Sequence, residues 1–169
     1  MNRKFFALLL TLLMVLAIVP ASAYADTVKD SGTEIAVLFT NDVHCAVDKN
    51  LGYQSVALAK ETLEEMGKEV LLVDVGDAVQ GDAIGTLSKG EYIIKIMNEL
   101  GYDVATIGNH EFDYGMEQFK KLTRLADFPY VSANFMDKNG ETVLDAYSMQ
   151  NVHGVKIAFV GVTTPKTIT

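Results

Sequence analysis

Residues 102–107 read Tyr-Asp-Val-Ala-Thr-Ile and run directly into Gly108-Asn109-His110-Glu111. A short β-type run that ends in polar, chemically capable residues decides the fold, because the same arrangement occurs twice upstream. Residues 34–40 (EIAVLFT) run into Asn41-Asp42-Val43-His44, and residues 69–75 (EVLLVDV) run into Gly76-Asp77. Such near-continuous apolar runs are typical of strands covered on both faces. Between them lie stretches with apolar residues at helical spacing, over 53–66 and 91–100, and a third follows over 116–126. Gly67 and Gly101 follow the first two as stop signals. A glycine-rich loop is expected over 76–90 and a fourth strand over 130–133, ending at Asn134. Strand and helix alternating in this way imply an α/β fold, a mostly parallel sheet with flanking helices. The last segment breaks the pattern. Residues 146–152 and 156–162, joined through His153-Gly154, predict a C-terminal β-hairpin.

In a parallel sheet, ligands bind beyond the carboxyl ends of the strands. Here the first strand delivers Asp42 and His44, the second Asp77, and the third Asn109 and His110. The blocks are one strand–helix unit apart, so they converge on one edge of the sheet. Carboxylate, imidazole and carboxamide together suit a borderline divalent cation such as Zn²⁺ or Mn²⁺; an all-oxygen Ca²⁺ cage would have no use for histidine. The two oxygens of Asp77 could bridge a pair of metals. Two-metal sites carry out in-line displacement at phosphorus.

The rest of the chain narrows the setting. Of 169 residues, 49% are apolar and 21% charged, which excludes a disordered or fibrous protein. The formal net charge of −8 argues against a nucleic-acid polymer as partner, since neutralising phosphates takes cations. A single cysteine excludes a disulfide framework within the chain. Arg3 and Lys4, the apolar run 5–19, Pro20 and Ala23-Tyr24-Ala25 form the pattern of a secretory signal peptide over 1–25. A linker is expected over 26–33 and no membrane span after the signal. The expected location is therefore secreted, periplasmic or cell-surface.

Asp42-Val-His44, Gly76-Asp77 and Gly108-Asn-His-Glu111 resemble, in order, the first three signature blocks of the calcineurin-like metallophosphoesterases. Residues 108–115, the loop 76–81 and residues 97–103 resemble more specifically the secreted or periplasmic 5′-nucleotidases. The resemblance implies half of a four-layer α/β sandwich, with 34–169 the N-terminal part of a metallophosphoesterase domain. It implies two divalent metal ions, with Asp42 and His44 on the first, Asp77 bridging and Asn109 on the second. His110 would face the phosphate and stabilise charge in the transition state, and Asp113 would orient His110 and keep it cationic. The substrate would be a nucleotide or another nucleoside phosphate ester. The family completes its site with later histidines, whereas this sequence has three in all, the third being His153. The expectation is therefore an incomplete metal site and a sheet edge left unpaired. Two alternatives stay open: a non-catalytic truncated product, or a different hydrolase of this fold acting on 2′,3′-cyclic nucleotides, UDP-sugars or thiosulfate esters.

Several residues invite functional readings that the sequence does not favour. Asp82 is assigned to loop structure, His153 to its turn and Asn134 to a turn cap. Cys45 is expected to point away from His44 as a small loop residue. Glu111 could serve as a base, but a hydrogen-bonding structural role is the better expectation. The apolar stripes of 53–66 and 91–100 are expected in the core.

Overall fold

The computed structural model describes residues 32, 34–49 and 51–165. The expected signal peptide at 1–25, and the expected linker at 26–33 apart from Gly32, lie outside the described residues. The described residues from 34 to 165 fall in one compact unit.

Strand β1, Ile35–Thr40, pairs in parallel with β2, Glu69–Asp74, and β2 pairs in parallel with β3, Val104–Ala105. Helix α1, Tyr53–Glu65, connects β1 to β2. Helices α2, Ala83–Ser88, and α3, Glu91–Leu100, connect β2 to β3. A single 3₁₀ turn, His110–Phe112, leads from β3 to α4, Met116–Leu125. Strands β4, Tyr147–Val152, and β5, Val155–Val160, form a separate antiparallel hairpin. The expected α/β architecture, with its parallel sheet and C-terminal hairpin, is the one observed.

Three local expectations change. The 76–90 loop contains a helix, α2, because residues 83–88 can make a turn and a half between Asp82 and Lys89. The third strand shrinks to two residues, since the chain beyond Ala105 turns into the polar loop. The fourth strand is reduced to bridges, Ala105 with Tyr130 and Val131 with Asp145, both parallel.

Register places Thr40, Asp74 and Ala105 in one row, with Tyr130 bridged beyond. All four are buried. The loops bearing the polar blocks leave the sheet just past this row. The core beneath it contains Leu72 from β2, Ile93, Ile94 and Met97 from α3, and Phe119 and Leu122 from α4. Each such side chain contributes about 1.5–3 kcal/mol when withdrawn from water.

The α3 stripe is core, as expected, but the α1 stripe is so only in part. Val56 is half-buried against the core while Leu58 and Met66 are exposed. The reason is position: β1 is the edge of its sheet, and Phe39 is 71% exposed there. An open groove of about 450 Å³ runs between β1 and α1, lined by Leu38, Phe39, Val43, Leu51 and Val56. No helix among the described residues is long and apolar enough to cross a membrane.

Candidate metal centre

Three short loops meet at the end of the Thr40–Asp74–Ala105 row. The middle one, Gly76-Asp77-Ala78, organises the other two. Its carbonyls accept hydrogen bonds from the first loop: Asp42 N–H to Gly76 at 3.1 Å, His44 N–H to Asp77 at 3.0 Å and Cys45 N–H to Ala78 at 3.0 Å. Its N–H groups point to buried carboxylates. Gly76 N–H donates to Asp74 at 2.9 Å, and Asp77 and Ala78 N–H each donate to Glu111 at 3.0 Å. Gly108 N–H joins the same Glu111 carboxylate at 2.7 Å.

Packing loops this closely constrains their residues. A Cβ on Gly76, which has φ +103°, would lie 2.4 Å from the Gly108 nitrogen, and one on Gly108 would lie 2.3 Å from Asp77 Oδ1. Asp42, His44, Cys45 and Asp77 all adopt left-handed backbone, with φ between 48° and 61°. Non-glycine residues take this conformation at a cost, and surrounding structure must hold them there. In this site the lattice of backbone bonds does so.

The result is a cluster of ligand atoms. One each from Asp42, His44 and Asp77 lie within 4.8 Å of one another. His44 Nδ1 sits 3.0 Å from the Gln80 carbonyl, which can only accept, so Nδ1 carries the proton and Nε2 offers its lone pair. Nε2 lies 3.4 Å from Asp42 Oδ1. Asp77 Oδ1 accepts the His110 N–H at 2.7 Å, which fixes the carboxylate plane. Two carboxylates and an imidazole at this spacing fit a borderline divalent cation.

The remaining site residues stand on the third loop. Asn109 is half-buried and precedes the 3₁₀ turn. His110 Nδ1 donates to Asp113 Oδ2 at 2.8 Å, with the two side chains 34% and 36% exposed. The Asp113 hydrogen bond is the largest influence on His110 and raises its pKa above the ordinary histidine value, against partial desolvation. The His110 ring lies edge-on to His44, 5.0 Å between centroids.

The residues set aside from the sequence take other places. Cys45 is buried, its Sγ donates to the Ala78 carbonyl at 3.3 Å, and burial pushes its thiol up to about 12. Asp82 precedes α2 and pairs with Lys49 at 2.8 Å. His153 occupies the hairpin turn at φ 49° and pairs with Glu69 at 2.7 Å. Asn134 does more than cap a turn: it accepts from Thr163 N–H at 2.8 Å and donates to the Thr163 carbonyl at 2.7 Å, tying down the chain after β5.

Asp74 is the member of this region that sequence reasoning missed. It is fully buried, accepts from Thr40 Oγ1 at 2.6 Å, and Thr40 in turn bonds the Tyr102 hydroxyl at 2.9 Å. Burial raises its carboxyl to about 7. An acid inside the otherwise apolar run 70–75 was the available signal.

Comparison with known proteins identifies the family. The family model of the calcineurin-like phosphoesterases matches residues 35–164. A 5′-nucleotidase of Vibrio vulnificus is 37% identical over 147 residues, covering 82% of this chain and 27% of that protein. A 2′,3′-cyclic-nucleotide 2′-phosphodiesterase/3′-nucleotidase of Yersinia enterocolitica is 32% identical over 179 residues, covering 89% of this chain and 27% of that protein. Among solved structures, the NAD nucleotidase of Haemophilus influenzae superposes with a TM-score of 0.70 at 30% identity, over 80% of this chain and 27% of that one. The chain thus spans about a quarter of the length of these relatives. It belongs to the calcineurin-like phosphoesterase family.

Proposed function

We propose, from this family membership, that the chain supplies the first metal ligands and the phosphate-facing histidine of a phosphoesterase acting on nucleotide phosphate esters. The observation that carries the proposal is the Asp42–His44–Asp77 cluster, its ligand atoms within 4.8 Å of one another at the carboxyl ends of two parallel strands.

Asp42 and His44 would hold a first divalent cation, Zn²⁺ or Mn²⁺, with Asp77 shared between it and a second one that Asn109 would help to hold. Bound there, the cations would supply Lewis acidity for displacement at phosphorus. The chain's own residues do the rest. The Gln80 carbonyl keeps the proton on His44 Nδ1, so Nε2 is free for the metal. The His110 N–H aims Asp77. Asp113 keeps His110 protonated to higher pH, leaving a cation beside the site that stabilises negative charge developing on the phosphate oxygens.

Residues 42–113 would make only part of such a site, and catalysis would need ligands beyond them. A signal over 1–25 would export the protein, so the substrate would be met outside the cytoplasm. Nucleoside 5′-monophosphates are the favoured substrates, in line with the Vibrio relative.

Phosphate release with Mn²⁺ or Zn²⁺ tests this, on residues 26–169 alone and on any longer natural protein containing them. Metal-dependent release from AMP is expected in the longer protein and should be abolished by Asp77→Ala or His110→Ala. Full turnover by residues 26–169 alone would contradict the part-site reading. Activity surviving both substitutions would refute the residue roles.

A further inference from the structure

Glu111 stands immediately after His110, yet its side chain turns away from the cluster and into the protein, where it is 2% exposed. Oε2 accepts from Gly108 N–H at 2.7 Å and from Asp77 N–H at 3.0 Å, and Oε1 accepts from Ala78 N–H at 3.0 Å. These three donors come from two different loops, those following β2 and β3. The carbonyls of Gly76, Asp77 and Ala78 in turn receive the N–H groups of Asp42, His44 and Cys45. One carboxylate therefore sets the spacing of the second and third loops directly, and that of the first through the second.

We propose that Glu111 is the positioning residue of the metal centre, acting on the relative placement of Asp42, His44 and Asp77 through the backbone and touching no reacting group. The inference rests on the metal-centre reading above and extends it. A role as base does not fit, because both oxygens are engaged and shielded from solvent. Among the described residues no other side chain gathers as many loop amides: Asp74 holds only the Gly76 N–H and Thr40 Oγ1, Asp77 Oδ1 takes a single loop N–H, that of His110, and the His44 ring meets only the Gln80 carbonyl. Four left-handed residues, Asp42, His44, Cys45 and Asp77, lie in the loops this carboxylate holds, so loosening it lets them relax toward ordinary backbone.

The chemistry of substitution gives a graded test. In Glu111→Gln the amide oxygen can keep the Gly108 and Asp77 bonds, but its NH₂ then faces the Ala78 N–H, donor against donor. In Glu111→Asp the carboxylate is a methylene short of all three donors.

The experiment uses the full 169-residue chain, titrated with Mn²⁺ by calorimetry and, metal-free, followed by amide exchange. In Glu111→Gln, Mn²⁺ affinity should fall by about 10–100-fold, the usual effect of losing an outer partner of a metal site. Exchange at Ala78, Asp42, His44 and Cys45 should quicken by about tenfold or more, while Ile94 and Leu122 stay protected. Glu111→Asp should do at least as much. A lowered unfolding midpoint with unchanged Mn²⁺ affinity per folded molecule is what a purely structural residue gives, and it would overturn the proposal. So would unchanged exchange at Asp42 and His44. If the wild type takes up no Mn²⁺, the metal reading fails, and the exchange rates in Glu111→Gln alone decide whether Glu111 sets the loops. Should the variants not fold, couplings across the hydrogen bonds from the Asp77, Ala78 and Gly108 amides to the Glu111 carboxyl carbon in the wild type decide it; their absence would overturn the network.

Discussion

The loop edge of the parallel sheet and the β4–β5 hairpin stand in sharp contrast. The hairpin is regular: six consecutive pairs from Tyr147–Val160 to Val152–Val155, with no residue of either strand fully buried. The loop edge has no regular hydrogen-bond ladder beyond Thr40, Asp74 and Ala105, yet it is more tightly tied, through two buried carboxylates and a lattice of backbone bonds. Regularity and rigidity are thus separate properties. A ladder needs only period-two side chains, whereas the loops need particular residues at particular atoms.

Glycine substitution probes that contrast most strongly. Gly76 and Gly154 both have positive φ, 103° and 88°, but a Cβ at Gly76 meets Gly108 backbone whereas one at Gly154 meets nothing within 4 Å. Gly76→Ala should therefore cost about 3–5 kcal/mol, from overpacking added to backbone strain, against about 1–2 kcal/mol for Gly154→Ala. Urea unfolding of the two variants checks this, and equal losses would erase the distinction.

Asp74 sharpens it in pH. Its unfolded carboxyl ionises near 3.8 and its folded one near 7. Between these values the folded chain keeps a proton that the unfolded chain has released. Its contribution to stability is therefore full below about pH 4 and is lost as pH rises through 7, with a slope approaching about 1.4 kcal/mol per pH unit. Asp74→Asn should flatten that part of the stability–pH curve. A wild-type curve already flat between pH 4 and 7 would show that the loop edge carries no such buried acid.

A smaller effect is expected at the His110–Asp113 pair. Asp113→Asn should lower the His110 pKa toward its ordinary value, read from its ring-proton NMR titration, because the acceptor that raises it becomes neutral. The sign is fixed: the stability this pair gives is full below the ordinary histidine pKa and is lost as pH rises through the raised one. An unmoved titration would remove Asp113 as the cause. Smallest of all is the hairpin's exposed pair with the sheet, Glu69–His153, where His153→Gln should change stability by no more than about 0.5 kcal/mol. A larger loss would show that the hairpin is held more specifically than its exposure suggests.

Much of the fold was legible because it is periodic. The strands at 35–40 and 69–74, the stripe of Ile93, Ile94 and Met97, and the hairpin all follow from repeating apolar positions. Two short segments were not. Helix α2 has no stripe to announce it, and the strands near 104 and 130 are cut short by tertiary geometry that local sequence does not encode. The meeting of Asp42, His44 and Asp77 was legible from residue type and strand-end position alone. What supports them was not: Asp74 hides inside an apolar run, and the three donors of Glu111 are backbone N–H groups that every residue but proline carries. Side-chain chemistry is written in a sequence, while the direction of a backbone N–H is decided only by the fold.

The central claim is that the ends of β1 and β2 form a divalent cation site on this chain. Calorimetric titration of the 169-residue protein with Mn²⁺, in parallel with Asp77→Ala, tests it most directly. One weak site in the wild type, lost in Asp77→Ala, is the predicted result. Absence of binding, two tight sites, or binding that Asp77→Ala leaves unchanged would contradict it.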